Sequence, residues 1–152
     1  MKRYRVGIIG ATGMVGQRFV TLVAKHPWFE LAALAASARS AGKTYEQAVE
    51  NRWAMAEEIP ACARTMLVQD AINDAQSIAA QVDFVFCAVD MKKEEILALE
   101  ERYAKLECPV VSNNSANRWT PDVPMVVPEI NADHLSVIQA QRERLGTKRG
   151  FI

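Results

Sequence analysis

The chain has 152 residues, half of them apolar, which suits one domain long enough to bury a core. Eighteen Lys and Arg residues balance eighteen Asp and Glu, so no net field draws the molecule to nucleic acid or to an anionic membrane surface. No apolar run approaches the length of a membrane span, and the N-terminus has no signal-peptide core, so a cytoplasmic location is expected. Cys62, Cys87 and Cys108 form no C-x-x-C or His/Cys metal spacing. Their odd number argues against a disulfide framework, and reduced thiols with no metal site are expected.

The first apolar run, Tyr4 to Ile9, reads as a buried parallel strand. It leads into Gly10-Ala11-Thr12-Gly13-Met14-Val15-Gly16. Three glycines at this spacing let the backbone turn sharply, approach a ligand and pack a new helix against the sheet. The first helical turn leaves N–H groups unpaired at the positive end of the helix dipole, which suits a pyrophosphate. The spacing is G-x-x-G-x-x-G and not the commoner G-x-G-x-x-G, and the alternative is a glycine-rich connection without a ligand. Context favours a dinucleotide, because the strand precedes and a helix with Val15, Phe19, Leu22 and Val23 on one face is predicted to follow.

His26-Pro27 ends that helix, and Glu30 to Ala36 reads as the second strand. It runs into Ser37-Ala38-Arg39-Ser40-Ala41-Gly42-Lys43. Many NAD-binding domains place an Asp or Glu for the ribose 2′-hydroxyl about twenty residues past the glycine turn. Here serines, an arginine and a lysine stand instead, and a guanidinium offers a planar fork of donors to a 2′-phosphate. That pattern favours NADP over NAD; the alternative is a solvated basic loop.

Tyr45, Val49, Trp53 and Met55 are spaced for a short helix that breaks before Pro60, Met66-Leu67-Val68 for a strand, and Ala71 to Ala80 for a loop or exposed helix. Asp83 to Val89 is a clearer buried strand, with Asp90 a candidate N-cap for a helix over Met91 to Ala104. That helix is predicted to bury Ile96, Leu99 and Tyr103 and to expose Lys92, Lys93, Glu94, Glu100 and Glu101. In a doubly wound sheet the carboxyl ends of strands border the ligand crevice, so Cys87, Ala88 and Asp90 should lie beside the cofactor. Cys87 falls inside the apolar run and reads better as a core residue than as a nucleophile.

Pro109-Val110-Val111 is the next predicted strand, followed by Ser112-Asn113-Asn114-Ser115-Ala116-Asn117-Arg118-Trp119, in which seven of eight side chains can hydrogen bond. Such a stretch is either a solvated loop or a site for an anion and an amide-bearing ligand. Met125-Val126-Val127 reads as a short strand, and Ala132 to Leu145 as a final helix with Leu135, Ile138 and Leu145 inward and Gly146 as its stop. The expected fold is α/β: a Rossmann-like, doubly wound, mostly parallel sheet flanked by helices.

Four of these segments together resemble the aspartate-semialdehyde dehydrogenases, in particular the branch shared by archaea, fungi and some bacteria: Gly10 to Gly16, Ser37 to Lys43, Ser112 to Arg118, and Val127-Pro128-Glu129-Ile130-Asn131. The resemblance covers essentially the whole chain, and the last two segments separate it from the N-acetyl-glutamyl-phosphate reductases. It implies that Gly10, Thr12, Gly13, Met14, Val15 and Gly16, with Ala88 beside them, hold NADP at its pyrophosphate. It further implies that Ser37, Arg39 and Ser40 hold the 2′-phosphate, that Arg118 binds phosphate at the active site, and that Asn113 and Ser115 line the same crevice.

The activity implied is reversible, NADPH-dependent reduction of aspartyl phosphate to aspartate semialdehyde and phosphate, in lysine, threonine and methionine biosynthesis. Other acyl-phosphate or acyl-CoA reductases of the superfamily, of malonyl-CoA or N-acetyl-glutamyl-phosphate type, and a non-catalytic NADP-binding module are the alternatives. In the family an acyl-enzyme cysteine stands in a Pro-Asn-Cys-like motif soon after a strand that begins like Gly150-Phe151-Ile152, and substrate-binding, base and dimerisation residues follow in a second domain. None of the three cysteines lies in such a motif. Residues 1–149 are therefore expected to be the NADP-binding domain, 150–152 the start of a catalytic domain or a linking strand, and the chain alone to be inactive. His26 and His134 offer no substitute base.

Overall fold

The computed structural model describes residues 2–152. Strands β1 (Tyr4–Ile9), β2 (Phe29–Ala36), β3 (Val68–Asp70), β4 (Phe84–Cys87) and β5 (Val110–Ser112) pair in the order β3-β2-β1-β4-β5. All four pairings are parallel. Alternation along the strands sends successive side chains to opposite faces. Val6, Ile8, Leu34, Ala36 and Val68 face α1 (Met14–Ala24), α2 (Tyr45–Val49) and α3 (Ala61–Arg64). Ile9, Ala33, Ala35, Val85, Cys87 and Val110 face α4 (Ala75–Gln81) and α5 (Lys93–Lys105). Helices on both faces of a parallel sheet make the fold the expected Rossmann-like, doubly wound one.

The rotation of α1 departs from the expected apolar face. Val15 and Leu22 are exposed, and Gly16, Gln17, Val20, Thr21 and Val23 are buried. Gly16 sets this rotation, because a Cβ there would lie 2.0 Å from the Gly10 carbonyl oxygen. A helix that packs so close to the turn must present Gly16 to it, which turns Val15 outward.

Other boundaries move as well. The helix after Thr44 lasts only from Tyr45 to Val49 and does not reach Trp53 or Met55. Thr44 caps it, its hydroxyl accepting from the Gln47 N–H at 3.3 Å while the Gln47 side chain accepts from the Thr44 N–H at 3.1 Å. The third strand begins at Val68 rather than Met66, since Met66 and Leu67 are occupied with the start of α2. Lys92, not Asp90, is the N-cap of α5, where its N–H donates to the Glu95 carboxylate at 3.1 Å. Met125–Val127 is not a strand; the Asn131 side chain accepts from the Val127 N–H and donates to the Met125 carbonyl.

The final helical stretch is three pieces, α6 (Pro128–Asn131), a 3₁₀ turn (Ala132–Val137) and α7 (Ile138–Leu145). Leu145 is buried, but Leu135 is exposed. Gly146 stops α7 in the left-handed region, φ 70°. The tail then crosses the end of α5 at Gly150, where a Cβ would meet the Ala104 carbonyl oxygen. Gly150 to Ile152 is not a strand; Val110 donates one backbone bond to the Phe151 carbonyl at 2.8 Å.

Candidate functional site

The strand order reverses between β1 and β4, and the glycine turn leaves β1 at that point. Gly10 adopts φ 87°, and a Cβ there would lie 2.2 Å from the Ala88 carbonyl oxygen, so the end of β4 abuts the turn. Ala88 in turn donates to the Ile9 carbonyl at 2.9 Å. Gly13 differs from its neighbours: a Cβ there would meet only the Gly10 carbonyl oxygen, at an ordinary 3.7 Å. The fold therefore demands glycine at 10 and 16, whereas position 13 is bare of side chain where the protein itself leaves room.

Among the described residues the N–H groups of Thr12, Met14 and Val15 find no acceptor. The first α1 bond is Gln17 N–H to the Gly13 carbonyl at 2.8 Å, and no acidic residue stands in the first turn. Unpaired donors, the positive end of an eleven-residue helix and an open Gly13 together fit a pyrophosphate.

Two buried side chains missed in the sequence hold this turn from behind. The Tyr45 hydroxyl donates to the Ala11 carbonyl at 2.8 Å, and burial pushes the phenol well above its ordinary pKa, so it stays a donor. Because a trans peptide is planar, tying the Ala11 carbonyl inward turns the Thr12 N–H of the same peptide outward. Gln17 donates to the Thr12 and Arg52 carbonyls at 3.0 and 2.9 Å and accepts from the Ala54 N–H at 2.8 Å. A polar residue on the buried stripe of α1 beside Gly16 was the available signal.

The Ala35 carbonyl accepts from the Gly10 and Ala11 N–H groups at 2.9 and 3.0 Å, which brings the loop after β2 alongside the turn. In that loop Ser37 and Arg39 are exposed, and Arg39 joins none of the ion pairs among the described residues. Ser40 is buried, its N–H bonded to the Ser37 carbonyl at 2.9 Å. A free guanidinium on a loop beside a phosphate-sized turn can bind a second phosphate.

On the other side of Ala88, the Asn113 N–H donates to the Cys87 carbonyl at 2.8 Å, so the ends of β4 and β5 adjoin. Beyond them opens a cleft of about 470 Å³, lined on its polar side by Ser112, Asn113, Asn114, Asn117 and Arg118. Arg118 and Asn113 thus share one cleft; Ser115 lies on the same loop, exposed, but outside the lining. The loop is held by Glu100, which was expected to face solvent and is only 1% exposed. Its place one residue after Leu99 and three before Tyr103, on the buried face of α5, was the signal for that.

Two of the three thiols are buried. Burial, with Glu100 nearby, pushes Cys87 up to about 12, and burial pushes Cys108 to about 12. Cys62 is exposed on α3. Among the described residues no group of His, Cys, Asp and Glu could hold a metal ion, and no helix is long and apolar enough to cross a membrane.

A parallel sheet with a glycine turn at the reversal of strand order defines a Rossmann-like dinucleotide-binding domain. The chain belongs to the semialdehyde dehydrogenase family, whose model "Semialdehyde dehydrogenase, NAD binding domain" matches residues 5–138. It is 40% identical over 150 residues to an aspartate-semialdehyde dehydrogenase of Archaeoglobus fulgidus, covering 99% of this chain and 41% of that protein. The corresponding protein of Cryptococcus neoformans is 42% identical over 148 residues, covering 97% of this chain and 39% of its own length. A crystal structure of the Candida albicans aspartate-semialdehyde dehydrogenase with NADP superposes with a TM-score of 0.83 at 37% identity, over 99% of this chain and 42% of that one. The chain spans about two fifths of the length of the curated relatives it matches.

Proposed function

We propose that this domain binds NADP for an aspartate-semialdehyde dehydrogenase, an enzyme that reduces aspartyl phosphate to the semialdehyde and releases phosphate. The observation that carries the reading is the turn at the end of β1: the outward N–H groups of Thr12, Met14 and Val15 beside an open Gly13. Gly10 and Gly16 shape that turn, and Ala88 closes its far side. Ser37, Arg39 and Ser40 take the 2′-phosphate, with Arg39 supplying the charge. When bound, NADP supplies or accepts the hydride. Arg118 and Asn113, one cationic and one able to donate and accept, bind the phosphate and the acyl group in the adjoining cleft, with Ser115 at its margin.

Buried, protonated Cys87 and Cys108 support a further part of the reading: neither is the acyl-enzyme nucleophile, and we place that thiol, its base and the subunit contacts outside residues 2–152. Residues 1–149 would be the NADP-binding unit, residues 150–152 would lead into the catalytic part, and the protein would work in the cytoplasm as a homo-oligomer.

The test is a titration of wild type and Arg39→Ala with NADP and NAD. Loss of a charge-assisted phosphate bond of about 1.5–3 kcal/mol should weaken NADP by roughly tenfold or more and leave NAD nearly unchanged. An unaltered NADP preference in the variant would remove the loop from the site. Turnover of aspartate semialdehyde by residues 1–152 that disappears in Cys87→Ser would overturn the assignment of the thiols.

A further inference from the structure

Glu100 is a carboxylate placed almost wholly inside the protein, on the face of α5 that also buries Ile96, Leu99 and Tyr103. Burying such a charge is costly, and it joins none of the ion pairs among the described residues. What it has instead are three donors, from the end of β5 and the loop that follows it. The Ser112 hydroxyl and the Asn114 amide, the latter at 2.9 Å, donate to one carboxylate oxygen, and the Asn117 amide donates to the other at 2.7 Å.

The network continues outward from these bonds. The Asn114 N–H donates to the Ser112 hydroxyl at 3.0 Å, the Asn114 side-chain amide also reaches the Cys87 sulfur at 3.4 Å, and the Asn117 side-chain Oδ1 accepts from the Thr120 hydroxyl at 2.9 Å. Within residues 112–118 the exposed residues whose side chains make no hydrogen bond among the described residues are Asn113, Ser115 and Arg118. A hydrophobic residue at position 100 would fill the space without the cost of burying a charge. A carboxylate there specifies where three loop side chains must sit, and so which of their neighbours face the cleft.

We propose that Glu100 is a positioning residue for this cleft: bonds from Ser112, Asn114 and Asn117 to its carboxylate set the 112–118 loop so that Arg118 and Asn113 face one anion. The proposal rests on the reading of Arg118 as a phosphate ligand. Its chemistry is that of pre-organisation: a loop fixed before the anion arrives loses less conformational entropy on binding.

The experiment titrates wild type, Glu100→Gln, Glu100→Leu and Arg118→Ala with inorganic phosphate and, separately, with adenosine 2′,5′-bisphosphate as a probe of the glycine turn. Amide hydrogen exchange of residues 112–118 is followed in parallel. Gln keeps the size of the side chain but turns one acceptor into a donor that faces another donor. Both Glu100 variants should lose about tenfold or more in phosphate affinity, exchange the loop amides about tenfold faster, and keep their affinity for the bisphosphate within about twofold.

Phosphate affinity of Glu100→Gln within twofold of wild type overturns the proposal, whatever the exchange rates. So does equal loss of both ligands, which would make Glu100 a general stabiliser. Wild type that binds no phosphate, or Arg118→Ala that binds it as wild type does, overturns the anion-site reading instead. The exchange rates then decide alone whether Glu100 sets the loop.

Discussion

A side chain at Gly16 would place its Cβ 2.0 Å from the Gly10 carbonyl oxygen, while one at Gly13 would touch that oxygen at 3.7 Å. Two variants of one turn should therefore fail differently. Gly16→Ala is expected to destabilise the fold by about 1–3 kcal/mol through overpacking against backbone that cannot yield. Gly13→Val should unfold close to wild type but lose the added thermal stability that NADP gives, because its methyl groups occupy the space in front of the N–H donors. Thermal unfolding of both, with and without cofactor, checks the pair; ligand stabilisation retained by Gly13→Val would refute the phosphate cradle. The cysteines give a second contrast. With Cys87 and Cys108 pushed up to about 12 by burial and Cys62 exposed, mass spectrometry after native alkylation near pH 8 should find Cys62 modified and the other two protected until unfolding.

At the scale of elements, the tail from Thr147 to Ile152 is fastened by a carboxylate rather than by a strand. Glu107 accepts from the N–H groups of Lys148 at 3.0 Å and Gly150 at 2.9 Å, as well as from that of Arg149. These backbone bonds, that from Lys148 foremost, hold its pKa below the ordinary glutamate value. A carboxyl whose pKa is lowered on folding stabilises the folded state above its unfolded pKa, and the contribution is lost as pH falls through the folded value. Wild type should thus be more heat-stable than Glu107→Gln at pH 7, and the two melting curves should converge as the pH falls below about 4. A constant gap between the curves across that range would assign the effect of Glu107 to something other than its charge. Position 107 also has φ 62°, so Gly is a useful control for strain at the same site.

For the whole molecule, cofactor binding and folding are linked, because the turn exists only where β1, β2, β4 and α1 meet. A ligand at a hundredfold excess over its Kd adds about 2.7 kcal/mol to a two-state fold. In a domain of this length that should raise Tm by roughly 5–10 °C. Differential scanning fluorimetry with NADP, and with NAD at the same concentration, checks it; the proposed 2′-phosphate loop requires the larger shift from NADP.

Most of the scaffold was legible in the chain: the runs Tyr4 to Ile9, Glu30 to Ala36 and Asp83 to Val89 are short, apolar and flanked by turn residues, as buried parallel strands must be, and the observed strands fall on them with ends shifted by at most two residues. The glycine turn, the basic loop at 37–43 and the polar stretch at 112–119 were legible for the same local reason, since each carries its chemistry within consecutive residues. Tertiary contact decided the rest. The close approach of Gly16 to Gly10 overrode the apolar spacing that would have buried Val15 and Leu22. Tyr45 and Gln17 became supports of the turn only because the fold brings them to the Ala11 and Thr12 carbonyls. Glu100, followed in sequence by Glu101 and Arg102, reads as a solvent residue by its charge, although it lies on the Leu99–Tyr103 face; only the 112–117 segment shows what donors satisfy it there. Periodicity reports which face of an element is apolar, but whether a polar group on that face is satisfied depends on partners distant in the chain, and only the folded structure brings those together.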